Sequence, residues 1–111
     1  MNDEILKYLY DIRESIANID LHLGNQRNFY VFMESLTIRR AIERELEIIG
    51  EAINRILKDQ PDIPISYARQ IVDLRNRVIH AYDAVDEVII WRIINKDLPI
   101  LQKEIEVLLN N

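Results

Sequence analysis

Six apolar residues, Ile5, Leu9, Ile12, Ile16, Ile19 and Leu23, recur at spacings of 4-3-4-3-4. That repeat lines one side of an α-helix, and a strand, with its period of two, would scatter it over both faces. Asn2 or Asp3 stands where a cap belongs and Gly24-Asn25 where a helix ends, so the spacing predicts a helix from about Asp3 to Leu23. A second start near Asn28 leads into Phe29, Phe32, Met33 and Leu36, then into Ile38, Ile42, Leu46, Ile49, Ile53 and Ile56. The phase shifts at Ser35-Leu36-Thr37, which reads either as one kinked helix or as a short helix feeding a long one. Asp59-Gln60-Pro61-Asp62-Ile63-Pro64 is the clearest loop. Ser66 is placed to cap a third helix carrying Ile71, Leu74, Val78 and Ile79. After the break at Tyr82–Asp86, Asp86 is placed to cap a fourth helix with Val88, Ile89, Trp91, Ile94, Leu98, Leu101, Ile105 and Leu108. Pro99 should kink that helix or restart it with Asp97 as cap.

No strand pattern, repeat or low-complexity segment competes, so the expected fold is all-α, an antiparallel bundle of four to five helices forming a single domain over 1–111. A chain of 111 residues buries roughly 60 to 70% of its unfolded surface, and 49% hydrophobic residues suffice for that core. The first two stripes are long for so small a chain, so part of them is expected to face a second copy in a homodimer. Cys is absent, which excludes disulfides, thiolate catalysis and Cys-based zinc sites and is compatible with a reducing cytoplasm, the expected location. The Met1 region has no apolar leader core, and the run Val88-Ile89-Ile90-Trp91 stops at Arg92, far short of the ~20 residues of a membrane span. No membrane association is expected. A net charge of −5 argues against a protein that coats nucleic acid over its whole surface but leaves a local basic site open.

Arg39, Arg40, Glu43, Arg44, Glu47 and Glu51 form the charged side of the long helix. Arg39–Glu43 is the opposite-charge pair at i,i+4 there, so this face does not read as arranged simply for helix stability. The arginines read first as a solvated face and second as an extension of an RNA-binding surface. His22 sits at the end of the first helix, where a cation meets the negative end of the helix dipole, a structural role. His80 stands among Asp73, Arg75, Asn76, Arg77, Tyr82 and Asp83. Asp73, Arg77 and His80 share one helix face, and Asn76 lies one turn before His80. Arg75 lies roughly 140° from His80 around an ideal helix. One helix joins the two only by unwinding near Ala81, whereas two copies of it meeting at a dimer axis bring them together.

Metal-free RNA cleavage needs a base for the 2′-OH proton, an acid for the leaving 5′-oxygen and a cation for the charged phosphorane. Imidazole titrates near neutrality, and guanidinium grips two phosphate oxygens. On residue types alone, a lone His at a helix end beside Arg and Asp is more often solvated or hydrogen-bonded than catalytic. Two distant His without Cys make a poor ligand set, so no metal and no cofactor is expected.

The run from Leu74 to Tyr82 reads R-N-x-x-x-H-x-Y. It resembles the motif of HepT-like proteins, the toxin half of HEPN/MNT toxin–antitoxin pairs. Arg40 to Arg44 and Ile49 to Ala52, with Gly50-Glu51-Ala52 as core, resemble that family's second-helix segment. Val85-Asp86, Trp91 and Asp97-Leu98-Pro99 resemble the region after the motif. The resemblance implies a homodimeric HEPN fold and a metal-independent endoribonuclease acting on RNA. Under it, Arg75 binds and polarises the phosphate, His80 is the acid/base residue and Asn76 orients the site. Tyr82 matches the tyrosine adenylylated by a partner MNT nucleotidyltransferase, the antitoxin. Arg77 either lines the same cleft or pairs with Asp73, and Asp73 and Asp83 are candidates to orient His80. Glu51 is either a buried partner for Arg75 or a plain surface charge, and Gly50 permits close helix approach. Trp91, Phe29 and Phe32 read as core or dimer interface. The competing reading is a non-catalytic HEPN-type helper that binds substrate or partner for a separately encoded nucleotidyltransferase.

Overall fold

Asn2 opens the first helix as its place ahead of the Ile5 stripe predicts: its Oδ1 accepts the Ile5 N–H at 2.8 Å, and α1 runs Asp3–Leu23. Gly24 closes α1 at φ 66°, a left-handed conformation that a side chain would strain. The structure is a computed structural model that describes residues 2–24, 27–66, 68–73 and 87–110. Asn28 caps α2 (Phe29–Glu34) by accepting the Tyr30 and Val31 N–H groups. Ser35 then ends α2 and starts α3 (Leu36–Asp59). Its backbone is extended, its N–H donates to the Val31 carbonyl, and its hydroxyl accepts the Ile38 N–H at 3.1 Å. The phase shift at this point is therefore a break, and a short helix feeds a long one.

Helix α4 is seen over 68–73. One uninterrupted helical rod follows, made of α5 (Glu87–Arg92), a π turn (Ile93–Asp97) and α6 (Leu98–Leu109). The π turn explains how the rod passes Pro99. In a regular α-helix Pro99 would leave the Asn95 carbonyl without its donor and press its ring against it. Instead the Leu98 N–H reaches back to the Ile93 carbonyl, and the widened turn gives the ring room. Asp97 makes no side-chain cap bond, so the capped restart expected there is replaced by this turn. The extra residue also rotates α5 by about 100° relative to the α6 stripe. Ile90 and Ile93 consequently enter the core, and Val88, expected inside, is exposed. The cap expected from Asp86 lies outside the described residues.

The stripes meet in one core. Ile5, Leu9, Ile12, Ile16, Ile19 and Leu23 are all buried, as is the α3 stripe from Ile42 to Ile56. Helix α1 packs along α3 and also against α6. Asn2 at the start of α1 donates to Asp59 at the end of α3 at 3.1 Å, so the two helices are antiparallel. Phe32 is buried, and the Phe29 and Phe32 rings lie 5.8 and 5.4 Å from Trp91, which ties α2 to α5. Phe32 is thus core, while Phe29 and Trp91 pack against it and stay partly exposed. The apolar stripe of α1 is likewise covered by its own chain, so it offers no surface to a second copy. Leu36, read as part of the α2 stripe, is exposed because the break at Ser35 turns it away.

The charged face of α3 also departs from expectation. Arg39 does not pair with Glu43 but donates to the Met33 carbonyl at the α2–α3 junction. Glu43 pairs with Arg40 at 3.3 Å, Glu47 with Arg44 at 3.1 Å and Glu51 with Arg55 at 2.9 Å. All three pairs are spaced three or four residues apart, so the face does support its own helix, by a few tenths of a kcal/mol per pair. Ser66 was expected to cap the third helix; its N–H and its hydroxyl both donate to Glu104 on α6. Every described element is helical, and among the described residues no helix is long and apolar enough to cross a membrane.

Candidate functional site

Of the residues singled out in and beside the motif, Asp73 is described: it is exposed, at residue 73 of α4. Arg75, Asn76, Arg77, His80, Tyr82 and Asp83 lie outside the described residues. The surroundings of the motif are described on both sides. On the entry side Ile65, Ala68, Ile71 and Val72 are buried, and Ser66 is held by Glu104. On the exit side α5 is seated by Ile90, with Trp91 against the α2 aromatics. The chain therefore enters and leaves the motif from packed helices.

The Gly50-Glu51-Ala52 segment lies in the middle of α3. Gly50 and Ala52 are buried. Glu51 stays partly exposed and binds Arg55; that hydrogen bond, with nearby Tyr8 and the Glu51 charge adding to it, raises the Arg55 guanidinium above its already high pKa. Arg75, the partner also considered for Glu51, is outside the described residues. A groove of about 300 Å³ runs between α1 and α3 beside Glu51, with Lys7, Asp11, Arg44 and Glu47 on its walls. Its charges are already paired along their own helices, Lys7 with Asp11 and Arg44 with Glu47.

Two carboxylates were missed in the sequence. Glu45 is 7% exposed on α3 and meets the His22 Nε2 at 3.4 Å. His22 at the end of α1 thus has a specific partner in addition to the helix dipole. Glu104 on α6 takes both bonds from Ser66, and its other oxygen is enclosed without a partner among the described residues. Both had a signal. Glu45 falls between Ile42 and Ile49, and Glu104 between Leu101 and Leu108, at positions where the helical repeat turns inward. Among the described residues no three His, Asp or Glu side chains gather as a metal site would require.

A model of the family described as ribonuclease HepT-like matches residues 5–108. The chain belongs to the HepT-like ribonuclease family. Among its relatives, a candidate RNase of Methanocaldococcus jannaschii is 36% identical over 94% of this chain and 95% of its own length. A candidate ribonuclease HepT of Thermococcus cleftensis is 35% identical over 89% of this chain and 90% of its own. A HEPN toxin of Shewanella oneidensis, tri-AMPylated and solved in complex with an MNT antitoxin, superposes with a TM-score of 0.77 over the whole of both chains at 19% identity. That likeness establishes the HEPN fold for the HepT-like chain. Family and relatives together make it a ribonuclease, and the matched span encloses the Arg75–Tyr82 run.

Proposed function

We propose that this HepT-like chain, acting as one domain, is the toxin of a HEPN/MNT pair and cleaves RNA internally without a metal ion. The observation that carries this reading is the family match from residue 5 to residue 108, within which R-N-x-x-x-H-x-Y stands complete. In the proposed reaction a ribose 2′-OH attacks the adjacent phosphorus, and the P–O5′ bond breaks. His80 imidazoles serve as base for the 2′-OH proton and as acid for the departing 5′-oxygen, leaving a 2′,3′-cyclic phosphate. Arg75 holds the non-bridging oxygens and offsets the charge of the phosphorane. Asn76 orients these groups, with Arg77 and Asp73 in support. Because an ideal helix would set Arg75 and His80 roughly 140° apart, two chains are proposed to contribute to one cleft. The neighbour's complex with an MNT antitoxin supports a nucleotidyltransferase partner for this chain, and its AMPylated state supports Tyr82 as the acceptor. Attack of the Tyr82 hydroxyl on the α-phosphorus of ATP, with release of pyrophosphate, would set the bulk and negative charge of AMP where the RNA phosphate must bind.

Replacing His80 by Ala is expected to lower RNA cleavage by roughly 10²- to 10⁴-fold, to abolish growth arrest and to leave the circular dichroism unchanged. Cleavage at the full rate by that variant would end the nuclease assignment. A chain that never cleaves RNA alone yet co-purifies with a nucleotidyltransferase would be the non-catalytic helper instead. Co-expression with a partner nucleotidyltransferase should add the mass of AMP to the intact chain, and Tyr82→Phe should remove that addition. Retention of the adduct in Tyr82→Phe would place the modification elsewhere.

A further inference from the structure

We propose that the outer side of α2, continued by Leu36 at the start of α3, is the surface on which a second copy of this chain docks. The stretch 28–38 carries one charged residue, Glu34, in a chain that is 30% charged. Five of the six residues of α2 are apolar, yet Phe32 is the one that is buried. A helix that is apolar all round is normally covered all round. Here the inner side is used by Phe32, and by Phe29 against Trp91, while the outer side stays open. Tyr30 is 75% exposed, Val31 41% and, directly after the break at Ser35, Leu36 57%. Single exposed apolar residues are ordinary on a protein surface, whereas apolar exposure grouped on one short segment marks an interaction surface.

The chemistry of this face selects its occupant. A helix that lies on a membrane surface sets Lys or Arg beside its apolar side, and α2 has neither. A nucleic-acid strand needs cations for its phosphates. The flanking arginines are engaged elsewhere: Arg27 with Asp20 and, at 3.0 Å, with Asn95, and Arg39 with the Met33 carbonyl. A second copy needs no such cation. Across a two-fold axis a surface meets its own image, so a charged face repels itself and an uncharged one does not. With a net charge of −5, two copies approach most easily where charges are fewest. Tyr30 is also the residue type that most often anchors a protein interface, through a large, stiff ring with a polar tip. The inference deepens the proposed function, in which two chains share one cleft, and rests on it for the number of chains alone.

The test follows the full-length chain by sedimentation velocity over about a hundredfold range of concentration, with amide hydrogen exchange over 29–38 at both ends of that range. The wild type is expected to form a dimer as concentration rises, and exchange over 29–38 to slow about tenfold with it. Tyr30→Glu and Leu36→Glu each set a charge against its own image. Each should raise the dimer dissociation constant about 100-fold or more at unchanged helical circular dichroism. Val107→Glu, at an exposed position of α6, should leave that constant within about twofold. If the Glu variants do not fold, the exchange of the wild type carries the test by itself. A wild type that stays monomeric at every concentration would overturn the proposal, as would a dimer that both Glu variants leave intact. So would exchange over 29–38 that slows with added RNA or anionic lipid vesicles and ignores chain concentration. RNA cleavage assayed alongside separates the two readings. A dimer broken by the Glu variants in a chain that cuts no RNA keeps this surface and removes the nuclease. An active nuclease whose dimer ignores both variants keeps the enzyme and removes the surface.

Discussion

Glu45 occupies a buried position where the helical repeat calls for an apolar side chain, Glu104 stands at the margin of such a stripe, and each is accompanied by a polar partner from a distant element. A carboxylate in such a place is tolerated when it is hydrogen-bonded and penalised when it is not. The two members of the His22–Glu45 pair are therefore not equivalent. His22 is the more exposed, and its removal strands a buried carboxylate; removal of Glu45 leaves His22 within reach of water. His22→Ala is expected to lower stability by about 1 to 3 kcal/mol in urea unfolding. Glu45→Leu, which removes the buried charge itself, is expected to be close to neutral or mildly stabilising. A larger loss from Glu45→Leu than from His22→Ala would show that the pair holds α1 to α3 by attraction. The motif residues were readable from the sequence because R-N-x-x-x-H-x-Y is a local pattern. The partners of His22 and Ser66 were not, because nothing within a turn of either residue specifies them.

Ser35 shows how a single polar residue divides an element. Its hydroxyl caps α3 while its N–H closes α2, so the break needs no Gly or Pro. Ser35→Ala is expected to destabilise the chain by about 1 kcal/mol, read as a lower urea midpoint at unchanged slope. An unchanged midpoint would mean that the Arg39 bond to the Met33 carbonyl holds the junction without the cap. The π turn at Ile93–Asp97 is the opposite case. Pro99 announced a disturbance in the sequence, but the kind of disturbance depended on neighbours. A capped restart would have broken the rod, whereas widening by one residue keeps it whole and lets Ile90, Ile93 and Ile94 all reach the core.

At the scale of the whole molecule, three long apolar stripes are closed against one another within a single chain. Leu9 is fully buried where α1 crosses the core, and Leu9→Ala is expected to lower stability by about 2 to 5 kcal/mol in one cooperative transition. A loss below about 1 kcal/mol would mean that the helices repack around the gap. The homodimer remains part of the proposed function, but it loses the argument first made for it, since the α1 stripe is used up internally. By itself the sequence determined the helices α1 to α3, the caps of α1, the start of α2 at Asn28 and the inward face of α1 and α3. These depend on a backbone whose hydrogen bonds span four residues, so the information lies within a turn or two. Only the tertiary structure decided the phase of α5 past the π turn and the pairing of His22 with Glu45 and of Ser66 with Glu104. Those partners stand 23 and 38 residues apart, and only packed helices bring side chains so far separated into contact.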